Sequence, residues 1–82
     1  MSEGYNGYSN YQTWNVVLWI FNEESLYRYW MERKIYGNLP DELQLWAEEN
    51  TPVVTGLYAD LLGYALGMVD WHEVATAIRE AD

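Results

Sequence analysis

An all-α fold, a single compact domain of four to five short helices behind an irregular N-terminal arm, is predicted by three features of these 82 residues. Apolar residues recur at i, i+3, i+4 and i+7 in successive windows, the spacing of one helical face. Polar capping residues and a proline at helix starts alternate with Gly and Asn stops. No run alternates apolar and polar residues with the period of two that a half-buried strand needs. With 50% hydrophobic residues, five Trp and eight Tyr, the chain has the material for one dense core, which a domain this short requires. The boundaries expected are residues 1–12 for the arm and 13–82 for the helical domain.

In the arm, Gly4, Asn6, Gly7, Ser9 and Asn10 are interleaved with Tyr5, Tyr8 and Tyr11. Gly and Asn favour turns over helix, and Tyr11 is expected to lie back on the body. Thr13 is suited to cap a first helix running to Asn22, with Trp14, Val17, Leu18 and Phe21 on one face. Val16, Trp19 and Ile20 make this segment apolar nearly all round, which predicts the central element. Its six consecutive apolar residues also fit a buried strand.

Glu23, Glu24 and Ser25 suit the next helix start, where carboxylates oppose the macrodipole. Leu26, Tyr29, Trp30 and Arg33 mark its face, and Gly37-Asn38 its stop. A third helix opens at Asn38-Leu39-Pro40 with proline in the first turn, carries Leu43, Trp46 and Ala47 as its stripe, and ends at Glu48-Glu49-Asn50. Thr51 to Thr55 connects, because Pro52 keeps Thr51 out of the helical region. Leu57, Tyr58, Leu61, Leu62, Ala65 and Met68 then repeat at helical spacing. Gly63 costs about 1 kcal/mol there against Ala, which close helix packing would explain. Asp70 followed by Glu73 resembles a capping box with Asp in place of Ser or Thr. Trp71, Val74, Ala75 and Ile78 form the apolar face of a fifth helix.

Composition excludes several activities. The chain has no cysteine, hence no disulfide or thiolate chemistry. The longest apolar run, Val16 to Phe21, falls far short of the ~20 residues of a membrane span. Met1 to Tyr5 lacks the basic and apolar regions of a secretory signal, so a cytoplasmic location is expected. Thirteen acids against four bases give a net charge of −9. Phosphate contacts come from Lys and Arg, and only Arg28, Arg33, Lys34 and Arg79 are present, which argues against direct nucleic-acid or membrane binding. A protein partner with a basic surface is the consistent alternative.

The same residues argue against catalysis. His72 is the one histidine, and the Asp70, His72, Glu73 spacing splays these groups instead of converging them on a metal. Ser2, Ser9 and Ser25 lie far from His72 in sequence, and neither a Gly-x-Ser-x-Gly turn nor a phosphate-cradling loop is present. No catalytic residue, metal or cofactor is expected, and the chain reads as a non-enzyme.

Two stretches carry a resemblance. Tyr8-Ser9-Asn10-Tyr11-Gln12-Thr13-Trp14-Asn15-Val16-Val17-Leu18-Trp19-Ile20, continuing from Asn22 to Tyr27, resembles the opening N-Y-x-T-W-N-V-x-L-W of a family of small uncharacterised proteins. These occur in phages, plasmids and their microbial hosts. Val69-Asp70-Trp71-His72-Glu73-Val74-Ala75 is similar to that family's ending. The resemblance implies a compact helical domain and a mobile-element setting, and it carries over no catalytic or cofactor residue. Trp14 and Asn15 lie at its centre, where Trp14 is expected in the core and Asn15 against the arm.

The acids supply the first candidate site. Glu23, Glu24, Glu32, Asp41, Glu42, Glu48, Glu49 and Asp60 are expected on several helices. There they would form a band that imitates a phosphate backbone and binds a basic cleft, with affinity falling as salt screens it. The alternative is a homo-oligomer or adaptor that uses exposed aromatics, with Tyr5, Tyr8 and Tyr11 as the contact and the acids only solubilising.

Overall fold

Asn10, not Thr13, caps the first helix. In the computed structural model, which describes residues 6–81, α1 spans Tyr11–Asn22, and the Asn10 side chain accepts the Thr13 backbone N–H at 2.8 Å. Asn and Thr are both good caps; tertiary contact decides between them, because Thr13 is wholly buried. Its hydroxyl accepts the backbone N–H of Asp70 at 2.9 Å. The buried face of α1 is therefore Thr13, Val17 and Ile20. The expected face is rotated away: Leu18 is exposed, and Trp14 and Phe21 are half-buried. A segment that is apolar nearly all round does not define its own phase.

Glu23 ends α1 and caps α2, Glu24–Met31, its carboxylate accepting the Leu26 N–H at 3.1 Å. That helix stops well before Gly37, in turns closed by the Arg33 N–H on the Trp30 carbonyl and the Tyr36 N–H on the Arg33 carbonyl, both at 3.0 Å. Helix α3, Leu39–Glu49, carries its proline in the first turn as expected. After the connector, Gly56 adopts φ +64° at the start of α4, Leu57–Met68, a left-handed conformation that glycine takes without strain. Asp70 caps α5, Trp71–Glu80, its carboxylate accepting the His72 and Glu73 N–H groups at 3.1 and 3.2 Å. Five helices and no strand occur among the described residues, so the fold is all-α.

The core gathers around α5, which supplies four of its residues. Trp71, Val74, Ala75 and Ile78 of α5 pack with Val17 and Ile20 of α1, Trp30 of α2, Leu39 and Leu43 of α3, and Val69. Helix α5 touches α1, α2 and α3, while α1 touches α2, α4 and α5. The centre expected for the first helix is thus shared with the last. Trp30, fully buried, meets Trp46 edge-on at 5.6 Å and Tyr29 at 4.9 Å, geometries worth ~0.5–1.5 kcal/mol each beyond burial.

A hydrogen-bonded clasp closes the ends of the chain over this core. In a capping box Glu73 would take the Asp70 N–H; here Thr13 has it, and Glu73 instead accepts the Ser9 N–H at 3.0 Å and the Ser9 hydroxyl at 2.6 Å. The Asn10 amide donates to the Met68 carbonyl at 2.6 Å. On the opposite side of the sequence, Lys34 donates to the Ala81 carbonyl and Arg79 to the Tyr36 carbonyl.

Candidate interaction surface

Helix α4 buries none of its twelve residues. Its backbone comes close to that of α1 and of no other helix among the described residues. Ala59, Leu62, Ala65 and Leu66 are half-buried, whereas Leu57, Tyr58, Leu61 and Tyr64 are each more than half exposed. From Thr51 to Val69 the chain carries one charge, Asp60. Its support, α1, leaves Leu18 and Trp19 exposed as well. The stripe read from the sequence is real as a helix, but its apolar side faces outward.

Gly63 does not mark close packing. A Cβ at Gly63 or Gly67 would meet nothing within 4 Å. Both line a cleft of about 280 Å³ between α3 and α4, shared with Gln44, Glu48 and Trp71. A second cleft of about 250 Å³ adjoins it through Ala47, Leu66 and Trp71, and it brings Trp19 and Trp46 together with Asn15 and Asn50. Asn15, expected against the arm, therefore lines this apolar opening.

The acids are dispersed. Glu23 and Glu24 sit at the α1–α2 junction, Glu32 follows α2, Asp41 and Glu42 start α3, Glu48 and Glu49 end it, and Asp60 lies on α4. All are exposed except Glu42, which is half-buried. Helix α2 meets α3 through Trp30 and Trp46, and the acids are spread over the starts and ends of these helices and the outside of α4. Several have local partners: Glu23 caps α2, Glu24 pairs with Arg28, Glu42 accepts from Asn38, and Glu48 accepts from Gln44. The bases are also engaged. Arg33 stacks 3.6 Å from the Tyr29 ring centroid, and Lys34 and Arg79 hold backbone carbonyls.

Of the arm tyrosines, Tyr5 lies outside the described residues. Tyr8, not Tyr11, lies back on the body: it packs against the core. Burial and then the carboxylates of Glu73 and Glu80 push its phenol pKa up. Tyr11 is 47% exposed, its ring 5.7 Å from that of Trp14. A cleft of about 470 Å³ lies here, lined by Tyr8, His72, Glu73, Thr76 and Glu80 among others. Distance in sequence was a poor guide to Ser9, which the fold brings to Glu73, next to His72; its hydroxyl, however, donates to the carboxylate. No group of three His, Cys, Asp or Glu side chains among the described residues can hold a metal ion. No helix among them is long and apolar enough to cross a membrane.

These features define a small all-α domain with a clasped core and one outward-facing apolar helix. The chain belongs to DUF7249, a family of unknown function whose model matches residues 1–82. Neither a curated protein nor a solved structure matches it. The two stretches that carry the resemblance noted above, around Asn10-Thr13 and Asp70-Glu73, are bonded to each other in the clasp.

Proposed function

We propose that this protein is a binding module that contacts other protein through the exposed apolar side of α4 together with Leu18 and Trp19 of α1. One observation carries this reading: a nearly uncharged helix buries none of its residues, and a helix apolar on most sides needs a cover. Interface cores are depleted of charge and enriched in Tyr, Trp and Met, which is the composition of this side. The location differs from the arm that the sequence suggested, while the mode, apolar contact by exposed aromatics, is the same.

A second reading rests on the acids. The basic side chains are engaged within the chain, which leaves exposed carboxylates such as Asp41 and Glu49 to attract a basic partner. The mobile-element setting implied by the resemblance suits either reading, an accessory or inhibitory factor that acts by contact.

Capture of a partner by the immobilised full chain at low and high salt separates them. Apolar contact predicts binding that survives high salt and is lost in Leu61→Glu. Acid contact predicts loss with salt and in the double variant Glu48→Lys, Glu49→Lys, since screening shortens the reach of exposed charge to ~8 Å at physiological ionic strength and less above it. Capture that is indifferent to Leu61→Glu overturns the first reading.

A further inference from the structure

We infer that the cover of α4 is a second copy of this chain, joined helix to helix as a homodimer; the inference rests on the binding-module reading above. Leu57, Leu61, Tyr64 and Met68 are all exposed, and their spacings of four, three and four are those of the a/d seam by which two helices pair. The half-buried Ala59, Leu62 and Leu66 face the body, so the seam is the outward side of a helix already held in place.

Area and charge select the occupant. Tyr58 and Tyr64 are 70% and 66% exposed, and such rings cover roughly 150–250 Å² each when buried. With Leu57, Leu61 and Met68 the side offers on the order of the ~800 Å² that one partner brings to a standard interface. Twelve residues are too few for a free-standing coiled coil, so the helix would pair while held against α1. A basic partner finds one acid, Asp60, between Thr51 and Val69. Two copies with a charge of −9 each repel least when they meet on this stretch. A single helix against its own copy is also self-complementary, as a two-fold interface requires.

Sedimentation equilibrium of the full chain tests the inference. A dimer is expected in the micromolar range, holding or tightening as salt screens the repulsion between copies, and Leu61→Glu should weaken it roughly ten- to a hundredfold with helical circular dichroism unchanged. Because the chain has no cysteine, Tyr64→Cys gives an independent readout: oxidation should link two copies much faster than in Thr76→Cys, on the exposed side of α5. A chain that stays monomeric, a dimer untouched by Leu61→Glu, or equal cross-linking in the two cysteine variants overturns self-pairing. A monomer whose capture of another protein is still lost in Leu61→Glu refutes self-pairing and leaves the binding-module reading standing; if Leu61→Glu alters neither, both fall.

Discussion

The hydroxyl of Thr13 accepts the backbone N–H of Asp70 at 2.9 Å, joining the first turn of α1 to the cap of α5 across 57 positions of sequence. Thr13 is wholly buried, so water cannot replace it. Thr13→Val keeps the shape and strands the Asp70 N–H, at an expected cost of about 1–3 kcal/mol. In urea the midpoint should fall with the slope unchanged. Thr13→Ser, which keeps the acceptor, should lose less; equal losses would show that the methyl group, not the bond, matters.

Gly63 and Gly67 sit inside α4 with open space where a Cβ would stand. Gly63→Ala should therefore stabilise the fold by roughly 0.4–1 kcal/mol through lower unfolded-chain entropy. Thermal melting reads this as a shift of about 4–8 °C per kcal/mol in a domain of this size. A destabilised variant would mean that α3 closes on α4 in solution.

The raised pKa of Tyr8, caused first by burial and then by Glu73 and Glu80, fixes a sign. The folded state holds the phenolic proton more tightly than the unfolded chain, whose tyrosines titrate near 10. Stability from this group is thus complete below about pH 10 and lost as pH rises through the folded value. Tyr8→Phe should flatten that part of the alkaline stability profile. The tyrosinate absorbance difference between wild type and Tyr8→Phe should titrate at lower pH once Glu73→Gln is introduced.

Core and surface leucines should separate cleanly. Leu43 is fully buried whereas Leu61 is 58% exposed. Leu43→Ala should cost about 2–5 kcal/mol. Leu61→Glu, measured at high dilution, should stay within about 0.5 kcal/mol. Chemical denaturation of both variants checks the pair, and unfolding by Leu61→Glu would place α4 in the core.

Much of the fold was legible because its signals are local. Asp70 caps α5 through its own first turn, and Trp71, Val74, Ala75 and Ile78 are buried as their spacing implies. Pro40 likewise opens α3. The failures come where local chemistry is degenerate. Asn10 and Thr13 can both cap, and only the position of Asp70, far off in sequence, decides which one does. The α1 segment offers apolar residues in every direction, so Thr13, a polar residue, ends up setting its phase. The orientation of α4 was illegible for the opposite reason: an apolar stripe reports that a helix wants cover, not that its own chain supplies it. A hint was present in the run from Thr51 to Val69, whose single charge stands out in a chain otherwise rich in them.

Among the described residues, helix α4 comes close in its backbone only to α1 and puts no residue into the core that holds Trp30, Leu43 and Ile78. Partial opening at this helix needs less free energy than melting the whole domain, and the amides of α4 should be the first helical ones to exchange with deuterium. Whatever settles on that helix must hold it shut, so the footprint of a binder will be written as slowed exchange confined to one helix.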